Sequence, residues 1–367
     1  MPDRVQKVIV GLSGGVDSSV AALLLLEQGY QVEALFMKNW EEDDSSSKCS
    51  AEEDLNDATL VANKLGIKLH TVNFSSEYWE EVFEEFIDEH KAGRTPNPDV
   101  LCNQKIKFKW FLEHAQSLGC DKIATGHYAR VEQIDNDFFL KNAKDTSKDQ
   151  TYFLHLLDQY QLSMSLFPLG EIEKSEVRKI AKRNNLVTST KKDSTGICFI
   201  GERNFSSFLS RYIPQTKGDI IDTEGNFIKN HHGYPFFTIG QRKGLEIGGG
   251  FGIGNEPWFV VDKIPEKNQV VVAQGENNEN LFHNTLETLE PHWINNSIKF
   301  PMKCEAKIRY RQQNQLCTLS ETQLGLKVVF SEKQRAITPG QSIVFYRDDI
   351  CIGGAIINRR FNESVLQ

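Results

Sequence analysis

At 367 residues, with 39% hydrophobic and 25% charged side chains, the chain has the composition of a soluble globular protein of more than one domain. No apolar run approaches the roughly 20 residues of a membrane-spanning helix, and the start, "MPDRVQKVIVG", lacks the charged-then-apolar pattern of a signal peptide, so a cytoplasmic protein with no membrane partner is expected. The formal charge of −8, from 42 basic and 50 acidic residues, weighs against a nucleic-acid partner on average, an objection that local patches can overrule.

From residue 7 to about 126, short Val/Ile-rich runs ("KVIVG", "QVEALFM", "KLHTVNF", "DKIATG") alternate with helical patterns near 17–29, 51–66, 76–91 and 104–118. This alternation predicts an α/β fold, a doubly wound parallel sheet with crossover helices. A hairpin turning at Asp135–Asp137 and helical stretches including "SEVRKIAKRNN" form an annex up to residue 202. A linker helix is expected near 204–212, with Phe205, Phe208, Leu209 and Tyr212 on one face. Beyond about 213, short alternating strands between Gly, Pro and Asn turns predict two small all-β domains of barrel type, divided near "GENNEN". The expected divisions are 1–202, 203–278 and 279–367.

The seven cysteines form no CxxC pair, so neither a zinc site nor a secreted disulfide framework is indicated, and cysteine chemistry, where present, is expected to be catalytic. His127 and the pair His231–His232 read as polar surface or loop residues before they read as metal ligands, with His127 the exception because of its place in "ATGHYAR".

The stretch "GLSGGVDSS" follows the first strand, where ligands of doubly wound folds sit. Ser13, Gly14 and Gly15 lack bulk, so successive N–H groups can face an anion, and the helix starting near Asp17 adds its positive end. A Walker A loop would carry a lysine; this one has none, which shifts the expected chemistry from γ-phosphoryl transfer to attack at the α-phosphate with pyrophosphate leaving. "SGGVDS" (13–18) resembles the pyrophosphatase-type loop of ATP-dependent adenylating enzymes, among them asparagine, guanylate and argininosuccinate synthetases and several tRNA thiolation enzymes. In that superfamily the aspartate matching Asp17 lies by the phosphates and helps to hold Mg²⁺.

"AGRTPNPDVLCNQKIKF" is a rigid proline-containing loop that delivers Asp99 and Cys102 before a helix expected to begin near Asn103, whose positive end would favour the thiolate. "KKDSTGICFIGERNF" carries Cys198, which alone reads as part of a buried strand and, paired with Cys102, offers a second thiol. Cys49, Cys120, Cys304, Cys317 and Cys351 read as structural, the last four in or beside strands.

Taken in order, "GLSGGVDSSV", "LFMKNWEEDD", "GRTPNPDVLCN", "ATGHYAR", "KDQTYFL", "KKDSTGICFIGERNF", "GQRKGL", "RYRQ" and "TPGQS" resemble the bacterial tRNA-specific 2-thiouridylases over essentially the full chain. The resemblance implies that ATP lies on Gly11, Leu12, Ser13, Gly14, Gly15, Val16, Asp17 and Ser18, with adenine near Met37 and Gly126. It implies that Asn97, Pro98 and Asp99 meet the target uracil, Asp99 as acid or base, with a carboxylate capping the helix at about 100–103 as the structural alternative; His127, beside the ATP segment, is expected to approach the nucleotide substrate. Cys198 matches the persulfide carrier and Cys102 the nucleophile that resolves it, leaving a Cys102–Cys198 disulfide for a reductant to reset. Lys148, Asp149, Gln150, Arg309, Tyr310 and Gln341 match tRNA-contacting positions. The implied reaction adenylates the 2-carbonyl oxygen of the wobble uridine in an anticodon stem-loop and replaces it with sulfur from an upstream donor, a cysteine desulfurase or a relay protein. AMP and pyrophosphate are released. Local basic stretches, Lys174 to Lys192 and Lys299 to Arg311, would offset the overall acidity toward tRNA. An amide- or amidine-forming ligase with the same loop is the alternative; it would not need Cys198.

Overall fold

The computed structural model describes residues 5–41, 50–192, 205–248, 256–295 and 298–363. The first strand, β1 (Lys7–Gly11), has Val8, Ile9 and Val10 without exposed surface, the signature of a strand covered on both faces. It leads into α1 (Val16–Glu27), and Gly29, at φ +86°, turns the chain into β2 (Gln31–Lys38). There follow α2 (Ser50–Leu65), β3 (Leu69–Asn73), two long helices and β4 (Lys122–Ala124). The long helices are α3 (75–91) and α4 (98–117), each interrupted by a wider π-helical segment, Trp79–Phe83 and Cys102–Trp110. These segments are tied together by Glu81, which accepts from Lys109 Nζ at 2.9 Å and Trp110 Nε1 at 2.6 Å.

A hairpin of β5 (Ala129–Ile134) and β6 (Asp137–Asn142) turns through Asp135 at φ 55°, a left-handed conformation that two-residue hairpin loops require. After α5 (Gln159–Ser163) and β7 (Ser165–Leu166) comes α6 (Lys174–Arg183). The parallel sheet has the order β3-β2-β1-β4-β7. Because the chain leaves β1 for β2 on one side and later returns to β4 on the other, the crevice between β1 and β4 is the topological switch point at which such sheets bind ligands. The expected doubly wound domain is therefore present.

The linker helix α7 (Phe205–Leu209) buries Phe208 and Leu209 and joins an aromatic cluster with Trp40, Trp79, Phe83 and Tyr212; the Phe83 and Tyr212 rings lie 4.7 Å apart. Next come β8 (Gly218–Ile221), β9 (Phe227–His231), β10 (Trp258–Ile264) and β11 (Gln269–Gln274), a four-stranded sheet of order β10-β11-β8-β9 whose central pair is parallel. His231, expected at the surface, is instead buried at the end of β9, where its Nδ1 accepts from Gly233 N–H at 2.8 Å.

The last unit comprises β12 (Phe282–Thr288), β13 (His292–Trp293), β14 (Met302–Lys307), β15 (Gln315–Glu321), β16 (Leu326–Arg335), β17 (Ser342–Arg347) and β18 (Ile350–Phe361). Its strands run β12-β16-β15-β14-β17-β18, and β18 pairs back onto β12, which closes a barrel around Leu286, Leu319, Val328, Phe330 and Phe345. Cys304 and Cys317 face each other across β14 and β15, and Cys351 lies in β18, as a structural role predicts.

The β5–β6 hairpin departs from expectation. Rather than belonging to the first domain's annex alone, it extends the barrel sheet, with Cys351 opposite Leu140 and Ile350 opposite Lys141. His155 seals the same junction against Gly354, where an added Cβ would lie 2.4 Å from the imidazole and 2.6 Å from the Ile343 carbonyl oxygen. Gly354→Ala should therefore cost about 1–3 kcal/mol by overpacking, read as a lowered thermal midpoint, whereas Gly248→Ala, with open space around it and no left-handed backbone, should not.

Candidate active site

The loop after β1 is shaped to keep backbone amides uncovered. Gly14 has φ +73°, and a Cβ there would fall 2.4 Å from the Asp54 carbonyl oxygen of α2, so only glycine fits. Gly15 is the N-cap of α1 and supplies no side-chain cap, leaving the first N–H groups of the helix to another acceptor. Across the crevice, a Cβ on Gly126 would sit 2.7 Å from Ser18 N and 2.9 Å from Asp17 C. A side chain at 126 would cover that amide. Met37 closes the same edge, its Cε 3.4 Å and the Phe111 ring 3.3 Å from the position of a Cβ on Gly11. The structure thus brings Gly11 to Ser18, Met37 and Gly126 into one place at the carboxyl ends of β1, β2 and β4.

The loop is braced internally by Ser18 Oγ, which accepts from Ser13 N–H at 3.2 Å, and by Ser19 Oγ, which donates to the Gly15 carbonyl at 2.7 Å. Asp17 does not stand alone: Tyr128 Oη donates to it at 2.8 Å and Lys174 Nζ to both carboxylate oxygens at 2.7 Å. Sequence reasoning grouped Lys174 with a surface patch. It starts α6, whose buried Val177 and Ala181 pack with Val16, Val20 and Ala21 of α1. The alternation of apolar Val177, Ile180 and Ala181 within the basic run was the available signal.

Most of that basic run is engaged internally: Arg178 donates to the Ser189 and Lys191 carbonyls, Lys179 and Arg183 pair with Glu176, and Lys191 pairs with Asp54 and Asp57.

Asn97, Pro98, Asp99 and Cys102 lie on α4, but the helix begins at Pro98, with Asn97 as N-cap, rather than near Asn103. Cys102 is thus one turn inside the helix and opens the π-helical segment, an irregularity that recurs at functional sites. It is 1% exposed. Asp99 and Cys102, three residues apart, share a helix face with Cβ atoms about 5–6 Å apart. Asn97, the N-cap, makes no side-chain capping bond, and Asp99 stands in the first turn of the helix; burial raises the Asp99 pKa above the ordinary carboxylate value, opposed in part by Lys107. Deep burial, with the same lysine adding to it, lowers the His127 pKa well below the usual imidazole value, and its Nδ1 lies 2.7 Å from Thr125 Oγ1. Cys198, the expected persulfide carrier, lies outside the described residues.

The expected tRNA-contacting residues form a continuous region, though not each as an open contact. Tyr310 packs on Phe153 at 4.5 Å between ring centroids, and Tyr152 Oη donates to the Ser342 carbonyl at 2.8 Å. Gln150 accepts from Tyr128 N–H at 2.9 Å, and Lys148 is half-buried beside it. Asp149 is buried, and its carboxylate accepts from Thr151 Oγ1 at 2.7 Å and Ala143 N–H at 2.9 Å, so it braces the segment from inside. Arg309 donates to the Ala336 carbonyl at 2.6 Å and, with Gln341, Thr238, Gly240, Gln241 and Thr338, lines a cavity of about 380 Å³. Gln341 donates to the Thr95 and Pro96 carbonyls at 2.8 and 3.1 Å, so the barrel grips the loop that carries Asn97 to Asp99.

Comparison with known proteins follows from this geometry. The profile described as "tRNA methyl transferase HUP domain" matches residues 6–202, that of the "tRNA methyl transferase PRC-barrel domain" 206–274, and that of the "Aminomethyltransferase beta-barrel domain" 283–357. A tRNA-specific 2-thiouridylase of Ruthia magnifica is 64% identical over 96% of this chain and 98% of its own. The chain belongs to the tRNA-specific 2-thiouridylase family. A member from Pseudomonas fluorescens is 56% identical over 96% of this chain and 94% of its own. Among solved structures, the U34-tRNA thiolase of Methanococcus maripaludis aligns over 57% of this chain and 65% of its own, at 20% identity and a TM-score of 0.35.

The Asp99 carboxyl yields a direct test of the site's electrostatics. The folded chain holds its proton more tightly than the unfolded chain, so stability is full below the unfolded value and falls as the pH rises through the raised folded value. Asp99→Asn should raise the melting temperature at neutral pH, with the gain narrowing as the pH is lowered toward the ordinary carboxylate range. A variant less stable than the parent at pH 7 would mean that the carboxylate is held by a partner rather than penalised by burial.

Proposed function

We propose that this enzyme is an ATP-dependent tRNA sulfurtransferase that converts the wobble uridine of its tRNA to 2-thiouridine. The observation that carries the reading is an uncapped glycine loop at the switch-point crevice, against which the helix that bears Asp99 and Cys102 packs through Phe111, 3.3 Å from the position of a Cβ on Gly11. The family's high identity over nearly the whole chain supports it. Methyl transfer, the word in two of the matched descriptions, would leave the loop and the cysteine without a task.

ATP lies with its phosphates on the amides of Gly11 to Ser18 and its adenine between Met37 and Gly126. Among the described residues no three His, Cys, Asp or Glu side chains cluster to hold a metal, but Mg²⁺ needs only one or two carboxylates beside substrate phosphates, and Asp17 fits. Bound there, Mg²⁺ would offset the charge of the triphosphate.

The uracil is flipped outward against Asn97 to Asp99. Its 2-carbonyl oxygen attacks the α-phosphorus and pyrophosphate leaves. Asp99, kept protonated more readily by burial, handles the proton at the pyrimidine, and neutral His127 shapes the floor of the site. The terminal sulfur of a Cys198 persulfide then bonds to C2 as AMP leaves, and Cys102 thiolate attacks Cys198 Sγ to free the thiouridine. Alternatively, Cys102 first releases hydrosulfide, which attacks C2. Both routes end in a Cys102–Cys198 disulfide that a two-electron thiol reductant resets. Such a reductant, a cysteine desulfurase or relay protein as sulfur donor, and tRNA itself fit a cytoplasmic enzyme. Lys148, Gln150, Arg309 and Tyr310 contact the tRNA stem-loop, while Gln341 and Asp149 serve by holding the 95–99 loop and the 143–151 segment.

The test is sulfur transfer. Purified protein, unmodified tRNA, Mg-ATP and a persulfide source should yield 2-thiouridine by mass spectrometry, and Cys102→Ser and Cys198→Ser should each abolish it. ATP consumption without thiolated product would favour the amide-forming ligase instead, and normal thiolation by Cys198→Ser would overturn the persulfide role of Cys198.

A further inference from the structure

We propose that Lys174 is the phosphate-binding cation of the loop Gly11–Ser18, standing where the loop's own sequence lacks a lysine and neutralising the pyrophosphate leaving group. The proposal deepens the ATP reading above and rests on it.

Lys174 is the first residue of α6, 157 positions from Asp17 in sequence, and its Nζ lies 2.7 Å from both Asp17 oxygens. Its side chain is 12% exposed and its Nζ is 5.8 Å from the centroid of the Tyr128 ring, so the cation is held at the loop rather than waving in solvent. The main chain is fixed as well: Lys174 N–H donates to Asp145 Oδ2 at 2.9 Å, and the helix behind it packs on α1 through Val177 and Ala181. The charge therefore has a fixed origin relative to the first turn of α1.

Charge complementarity supplies the second argument. The loop offers a triphosphate backbone amides that Gly126 leaves open, but Asp17 sits among them and would repel the anion if uncompensated. Lys174 compensates it in the nucleotide-free chain. With Mg-ATP bound, Asp17 would be available to the metal, and the ammonium, on its flexible stem, would meet the charge of the phosphate oxygens. During adenylation the uracil oxygen bonds to the α-phosphorus, the bond from the α-phosphorus to the α,β-bridging oxygen breaks with its electron pair going to that oxygen, and the added charge on the departing pyrophosphate is met by Lys174.

A merely structural ion pair would serve α1–α6 packing and would not distinguish nucleotides by phosphate number. The experiment is calorimetric titration of the full chain with Mg-ATP, Mg-pyrophosphate and AMP, for the parent, Lys174→Met and Lys174→Arg. Lys174→Met should weaken ATP and pyrophosphate by about tenfold or more while AMP stays within about twofold, and Lys174→Arg should recover most of the loss. Equal weakening of ATP and AMP, or no change in either, overturns the proposal. Should Lys174→Met not fold, Lys174→Gln keeps a donor to Asp17 without the charge and carries the same expectations. A parent that binds no ATP overturns the ATP reading itself; a parent that binds ATP beside an unaffected Lys174 variant overturns only the role of Lys174.

Discussion

The close approach of Gly126 to the first turn of α1 is the constraint on which the rest depends. Strands β1 and β4 are neighbours with registers such as Val10 opposite Ala124, so the chain segments leaving them must pass each other within van der Waals distance. Only a residue without Cβ lets them do so while leaving Ser18 N–H uncovered. That single absence keeps a helix N-terminus open to an anion, sets Tyr128 where its hydroxyl meets Asp17, and places His127 on the floor beneath α4.

A second constraint joins the units. The loop from Gly93 to Pro98 is held by donors from elsewhere: Thr95 N–H reaches the Pro339 carbonyl at 2.9 Å, Gln341 reaches back to Thr95 and Pro96, and Gly340 at φ +90° packs so close to Thr95 that a Cβ would lie 2.8 Å from its nitrogen. Thr238 of the central unit adds a hydroxyl contact at 3.4 Å. The position of Asp99 and Cys102 is therefore set by all three units together.

The alternation of Val/Ile runs with helical spacing made the parallel sheet legible, because strands buried on both faces must be continuously apolar, and the glycine loop was legible because phosphate binding demands bare amides. Local signals failed where partners are distant. The helix start at Pro98 was hidden by two prolines that also read as loop, although Pro is favoured at N1. Asp149 and Gln341 read as polar contacts for a partner, and nothing local announces the bonds they also make within the chain, to Ala143, Thr151 and the Thr95–Pro96 carbonyls, the last 245 residues away. The hairpin at 129–142 looked self-contained because nothing local announces a strand edge that β18 will complete. Lys174 read as surface because charge periodicity reports a solvated face by default.

Adenylation at the uracil oxygen is the claim from which the roles of the loop, Asp17, Asp99 and both cysteines follow. It is tested most directly by supplying tRNA labelled with oxygen-18 at O2 of the wobble uridine and following the label by mass spectrometry through one turnover. The account predicts that the heavy oxygen leaves on AMP. Recovery of the label in water or in pyrophosphate, with AMP unlabelled, would contradict it.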